Sequence, residues 1–219
     1  MILMTPNADA AEQIAEDVTV FLTEGEPEYR LNHVLLFPAM KQRDDESETA
    51  LEIADEAFGE RIKVLKQLAG VKDRFIVVAS MPALLQPVPP PELFKEQTQT
   101  LTVNSRIDLE SLCRLLLEGG YRQASTIDMP GEFSVRGYIL DMFAPDWDEP
   151  VRVECVGGKI KSLRRFDMTT QRSLENIGEV DLTRLQFHKC ADVSLLDYFP
   201  SSTPIVLIEP AAFGHLSAD

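Results

Sequence analysis

Apolar residues follow two periodicities over the first ninety positions. Short continuous runs, MILMT (1–5), HVLLFP (33–38) and RFIVVAS (74–80), lack polar alternation, as strands covered on both faces do. Between them apolar positions recur at helical spacing. Ala10, Ile14, Val18 and Phe21/Leu22 follow a turn at Pro6-Asn7, with Asn7 or Asp9 as the cap and Gly25 to Pro27 as the stop. A long helix is expected after the acidic run DDESE (44–48), through about Leu68 and ending at Gly70. MPALLQ reads as a short helix closed by PVPPPE. Alternating strands and helices predict a parallel sheet covered on both sides.

The pattern changes after the prolines at 87–91. TQTLTVN (97–103) has the period of two of a half-buried strand. A helix is predicted from about Asp108 to Glu118, with Leu109, Leu112, Leu115 and Leu116 on one side and Gly119-Gly120 as its stop. Four strand-like runs follow, 121–127, 131–143, 150–156 and 159–166, and Gly157-Gly158 suits a two-residue hairpin turn. This is an α+β unit with an antiparallel sheet, left near Gly178–Asp181. LTRLQF, SLLDYF and PIVLIEP then resemble another β–α–β piece. The expected organisation is a parallel α/β domain over 1–92, an inserted antiparallel α+β module over 93–181, and a return segment over 182–219 that starts a continuation of the first layer.

Hydrophobic content of 44% with 26% charged residues is ordinary for a folded chain. Acids outnumber bases 36 to 21, for a net charge of −15, which works against binding nucleic acid through its phosphates. Seven of the bases nevertheless lie between Arg136 and Arg172. Cys113, Cys155 and Cys190 are odd in number and widely spaced, which argues for a reducing cytoplasm and against a disulfide framework or a zinc site. MILMTPNAD is too short and too soon acidic for a signal peptide or a membrane span. No G-x-x-x-x-G-K-[ST] and no G-x-G-x-x-G occurs. His33, His188 and His215 are far apart and have no nucleophile beside them, and Asp44-Asp45-Glu46 reads as a solvated helix start rather than a cation site. Asp146-Trp147-Asp148 reads as a turn with one anchored aromatic. No catalytic residue, cofactor site or metal site is expected in this segment.

Two apolar runs carry an arginine at mid-length. In 131–143, Phe133, Val135, Ile139 and Phe143 fall on one side, and Ser134, Arg136 and Tyr138 on the other. In 150–156, Val151, Val153 and Cys155 oppose Arg152, Glu154 and Val156. Arg136 and Arg152 are therefore expected on the solvated face of one hairpin. Two readings fit. One is a plain surface arginine paired across strands with Glu154, worth little. The other is an electropositive face that docks on an acidic protein, because guanidinium forks match carboxylates.

PGEFSVRGYILDMF and PVRVECVGGKIKSLRRFDMTTQRSLE, covering 131–175, resemble the second domain shared by the bacterial transcription-repair coupling factors and the excision-repair protein UvrB. ERIKVLKQLAG and FIVVASMPALLQPVPPP resemble the end of the coupling factors' first domain. The resemblance implies a P-loop NTPase-like first domain with a degenerate nucleotide site. It further implies a second domain that recruits the damage-recognition protein UvrA through outward arginines, here Arg136 and Arg152. A phenylalanine that some relatives place four residues after the second arginine is Val156 in this chain, and Tyr138 is the candidate replacement. Glu154 is expected to orient Arg152, and Arg164, Arg165 and Arg172 to hold the domain junction. UvrB carries an aromatic-rich hairpin near the position of FPAMKQRDDE (37–46), where this chain has one aromatic, Phe37, and several acids. That departure favours the coupling factors over the alternatives, a UvrB-like DNA-contacting module or a nucleotide-binding enzyme fragment. RNA polymerase, DNA, ATP and Mg would engage other regions of the complete family protein, and other domains would mask the docking face.

Overall fold

The computed structural model describes residues 1–24, 34–40, 56–70, 75–183 and 193–215. His33, His188, Cys190, the acidic run at 44–48 and the side chain of His215 lie outside the described residues. In chain order the elements are β1 (Ile2–Thr5), α1 (Ala8–Glu24), β2 (Val34–Phe37), α2 (Glu56–Gly70), β3 (Ile76–Ser80), α3 (Met81–Leu85) and α4 (Pro91–Gln97). They continue with β4 (Thr98–Thr102), α5 (Leu109–Glu118), β5 (Arg122–Gln123), β6 (Glu132–Arg136), β7 (Ile139–Met142) and β8 (Val151–Val156). The last are β9 (Lys159–Phe166), β10 (Ser173–Ile177), β11 (Glu179–Thr183) and β12 (Ile205–Leu207). Two compact units result: Met1–Arg43 with Lys63–Pro91 and Lys189–Asp219, and Asp44–Ile62 with Glu92–His188.

In the first unit the strands lie in the order β12-β1-β3-β2, every pair parallel. Ile2 stands opposite both Val77 and Ile205, so the tail run PIVLIEP does add a strand to this sheet. Asn7 supplies the α1 cap, its Oδ1 accepting the N–H of Ala10 at 2.9 Å. Ala11 and Ala15 of α1 meet Leu3, Ile76 and Val78, with Ile14, Val18 and Leu22 around them. Each buried aliphatic side chain is worth about 1.5–3 kcal/mol of transfer free energy. The ambiguity between Phe21 and Leu22 resolves to Leu22: Phe21 is 77% exposed.

The second unit holds a six-stranded sheet in the order β10-β9-β8-β7-β6-β5, antiparallel except for β5 beside β6. β4 and β11 form a separate antiparallel pair. The sequence reading needs three corrections here. The run 131–143 is not one strand but a hairpin, β6 and β7, turning at Gly137-Tyr138 with Gly137 at φ 62. Glycine at the first central position is the residue order of a type II′ turn, whose twist matches the strands. The run 121–127 contributes only Arg122–Gln123, and Gly178–Asp181, expected as the way out of the module, lies between and within two further strands, β10 and β11. Gly157 and Gly158 form the expected turn, both at positive φ (61° and 70°), as a type I′ turn requires.

One face of this sheet is apolar. Phe133, Leu140, Met142, Val151, Val153, Ile160 and Leu163 are all buried there. Burial, then the nearby Cys113 and Asp108, push the Cys155 thiol above its ordinary pKa. Leu112 and Leu116 of α5 are also fully buried. Asp108 caps α5, accepting from the Ser111 N–H at 2.8 Å. A smaller cluster joins Ile127, Phe143 and Phe166, with Trp147 packed on it and its Nε1–H donated to the Asp181 carbonyl at 3.1 Å. Trp147 is thus the anchored aromatic expected of its turn.

Gly59 of α2 leaves no room for a side chain, because a Cβ built there stands 2.1 Å from the Pro145 carbonyl oxygen. Alanine favours a helix over glycine, yet overpacking of this severity costs about 1–3 kcal/mol. Gly59→Ala is therefore expected to lower the urea midpoint. A midpoint equal to or above that of the parent would contradict the close approach.

Candidate protein-docking face

Residues directly opposite one another in register share a face, so the strand pairings assign the polar side of the six-stranded sheet without ambiguity. One row runs Ser134, Asp141, Arg152, Arg164 and Asn176 across five strands. The next runs Arg136, Ile139, Glu154 and Ser162. Arg136 and Arg152 do lie on one side, as expected, but β7 stands between their strands, so they do not belong to one hairpin. Ile139 and Phe143, assigned by the sequence pattern to the apolar side, lie on the arginine side, because the turn at Gly137-Tyr138 resets the alternation.

The two arginines differ in setting. Arg136 is exposed and donates from Nη2 to the Ser125 carbonyl at 3.2 Å and to Thr126 Oγ1 at 2.9 Å. No carboxylate among the described residues forms an ion pair with it. Arg152 is held on three sides. Its Nε and Nη2 grip Asp141 Oδ1 and Oδ2 at 2.6 and 2.9 Å. Nη2 also reaches Gln171 Oε1 at 3.0 Å, and the guanidinium carbon sits 4.4 Å from the centre of the Phe166 ring. The Asp141 hydrogen bonds and charge outweigh partial burial and raise the Arg152 pKa. Its side chain is only 19% exposed.

The expectation that Glu154 orients Arg152, or pairs with Arg136, is corrected by this geometry. Glu154 Oε2 accepts from Ser162 Oγ at 3.1 Å and from Arg164 Nη2 at 3.2 Å. Asp141, directly opposite Arg152, takes the carboxylate role instead, from within the apolar run YILDMF. Arg165 pairs with Glu175 at 3.2 Å and lies 3.9 Å from Glu149. Around the turns Tyr138 is 69% exposed, Val156 39% and Ile139 36%. These make an apolar margin beside Arg136, and Ile139 is a member the sequence did not supply.

The motif FDMTTQR explains how Arg152 is held. Asp167 Oδ1 accepts from the Thr170 N–H at 2.6 Å and from Thr170 Oγ at 2.8 Å, and these bonds lower its pKa. The turn they close carries Gln171 at φ 58, where its Nε2 donates to the Met168 carbonyl at 2.8 Å while Oε1 meets Arg152. Glu132, the acid of the GEFSVRG run, is likewise structural. It is buried and accepts from the Asp128 N–H at 2.8 Å, the Met129 N–H at 3.3 Å and the Arg122 guanidinium.

Residues 100–185 match the family model of the UvrB interaction domain. The chain is 34% identical over 184 residues to the transcription-repair-coupling factor of Staphylococcus aureus strain MSSA476, a stretch covering 84% of this chain and 15% of that protein. It is 34% identical over 185 residues to the transcription-repair-coupling factor of Staphylococcus epidermidis strain RP62A, with the same coverage. Most of the antiparallel unit falls within the match to the family model. Over the stretch it spans the chain is similar to the transcription-repair-coupling factors, and it spans about one seventh of the length of these relatives. Among the described residues, no helix is long and apolar enough to cross a membrane.

Glu132 generates a pH prediction. Desolvation pushes its pKa up, but the Asp128 N–H, the Arg122 guanidinium and the Met129 N–H outweigh it, so the folded value lies below 4.5. A depressed carboxylate contributes stability above its unfolded pKa and loses it as pH falls through the folded value. The stability difference between the parent and Glu132→Gln is therefore expected to be full near neutrality and to shrink as pH falls below about 4.5. Urea titrations at several pH values from neutral downward measure it. A difference independent of pH would refute the assignment.

Proposed function

We propose that this chain is a non-catalytic docking module that recruits UvrA through the polar face of its antiparallel sheet, within a factor that couples transcription to nucleotide excision repair. The observation that carries this reading is the exposed guanidinium of Arg136, which has no carboxylate partner among the described residues of a chain with net charge −15. Acidic surroundings would ordinarily supply one. Beside it Arg152 is preorganised, with Nε and Nη2 committed and Nη1 left over for a partner's carboxylate. Tyr138 and Val156 offer apolar contact in place of the aromatic that some relatives carry, and Glu154 stabilises the rim through Arg164.

In this reading residues 93–181 form the UvrA-interaction module, inserted in a parallel domain formed by 1–92 and continued from 182 onward. That domain is P-loop NTPase-like with a degenerate nucleotide site, and the segment needs no cofactor of its own. Arg152, Arg164 and Arg165 are already matched to carboxylates, which weighs against the DNA-contacting alternative, since phosphate binding draws on unpaired cations. RNA polymerase, DNA, ATP and Mg would be handled by other parts of the complete protein, in the cytoplasm.

Charge reversal tests the reading. Arg136→Glu and Arg152→Glu are each expected to weaken UvrA capture strongly, because losing one side of a desolvated charge pair costs about 2 kcal/mol or more. Arg136→Glu is also expected to leave the melting temperature nearly unchanged, since the residue is exposed. UvrA retained equally by the parent and the double variant would overturn recruitment through this face.

A further inference from the structure

Arg152 is the more constrained of the two arginines, and its constraint is built from side chains of its own sheet and the turn after it. Asp141 is 6% exposed in the middle of β7, directly across from Arg152. Its two oxygens take two of the three guanidinium nitrogens in a fork-to-fork pair. Gln171 caps the same Nη2 from a left-handed backbone position, a conformation that costs a non-glycine residue about 1 kcal/mol or more and persists only where its surroundings over-determine it. Those surroundings are the Asp167–Thr170 turn and the Gln171–Met168 bond. Fully buried Phe166 forms the floor on which the guanidinium lies.

We infer that Asp141 and Gln171 are positioning residues for docking. They fix the plane of the Arg152 guanidinium on Phe166, so that Nη1, the one nitrogen with no hydrogen bond among the described residues, is presented in a single orientation. The partner feature that fits is a carboxylate approaching end-on to one nitrogen, since the bidentate edge is already occupied. Four rotatable bonds of the arginine side chain are frozen before the partner arrives, and the ordering cost of an immobilised long side chain is removed from binding. The inference rests on the docking reading above and deepens it.

Titration of UvrA against Asp141→Asn, Gln171→Gly, Arg152→Ala and the combined variants tests it. Asp141→Asn keeps the size of the side chain but breaks the charged fork, and is expected to weaken binding about 10-fold, the worth of one charge-assisted hydrogen bond. In an Arg152→Ala background the same change is expected to cost nothing further, because a residue that acts only through Arg152 loses its effect with it. A full additional loss in that background, or unchanged affinity for Asp141→Asn alone, would overturn the inference. Asp141→Asn leaves a half-buried guanidinium short of its carboxylate, and Gln171→Gly covers the case in which that variant fails to fold. Glycine accepts the left-handed backbone, so weaker UvrA binding with an undiminished melting temperature supports positioning, and unchanged binding refutes it. Should Arg152→Ala bind UvrA as the parent does, the docking role of Arg152 fails and the inference falls with it. Weak Arg152→Ala with neutral Asp141→Asn refutes positioning alone.

Discussion

A carboxylate at the centre of a sheet strand, 6% exposed, is tolerable only if a cation lies directly across from it, and Asp141 has Arg152. Removing either partner would leave an uncompensated charge in a poorly hydrated site. The same pair pins the register of β7 on β8, because side chains alternate with a period of two. A slip of one residue would turn Asp141 into the apolar layer beside Val151 and Val153 and bring Leu140 and Met142 out of it. Such a slip is excluded twice, by the buried apolar set on one side and by the charge pair on the other. The location of the whole polar face follows from this one contact.

That constraint explains why a basic stretch of sequence does not make a broadly basic surface. Arg122 is spent on Glu132, Arg152 on Asp141, Arg164 on Glu154 and Arg165 on Glu175. The half-exposed pairs contribute little to stability individually, but they cancel the field of the arginines locally. What remains on the arginine side of the sheet is the exposed guanidinium of Arg136 and one nitrogen of Arg152, with Tyr138, Ile139 and Val156 exposed near them, while Lys159, Lys161 and Arg172 are exposed elsewhere in the stretch. A surface with one or two localised donors in an apolar margin suits discrete carboxylates on a folded partner better than a continuous phosphate backbone, which rewards many spread cations.

Much of the fold was legible because core burial writes itself into periodicity. The parallel strands, the capping of α1 by Asn7, the extent of α5 and the turn at Gly157-Gly158 all follow from local chemistry. The errors share a cause, which is that a turn embedded in an apolar run is nearly silent. Gly137-Tyr138 splits FSVRGYILDMF without an Asn-Gly or Pro signal, and extending one alternation through it put Ile139 and Phe143 on the wrong side. Arg136 and Arg152 kept their common face because both precede the error or lie beyond it in another strand. The exchange of Glu154 for Asp141 has a different origin. Sequence proximity favours an acid two positions from Arg152, whereas the cross-strand neighbour is set by register, which a single sequence does not display.

The motif FDMTTQR serves the frame of the polar face. In FDMTTQR, Phe166 is fully buried, Asp167 and Thr170 close a turn, and Gln171 is held at φ 58 to meet Arg152. Glu132, at the head of the other motif, is buried under three donors. A docking surface needs few residues that touch the partner and many that keep those few from moving, because freedom removed in the free protein is not lost again on binding. Positions that hold are bound to specific neighbours on every side, so each requires one residue type. Positions that face water are less constrained, and Val156, 39% exposed, is one of these. A family resemblance read from such motifs therefore reports the frame more faithfully than the contact, and the chemistry of the contact has to be taken from which guanidinium nitrogens the frame leaves unspent.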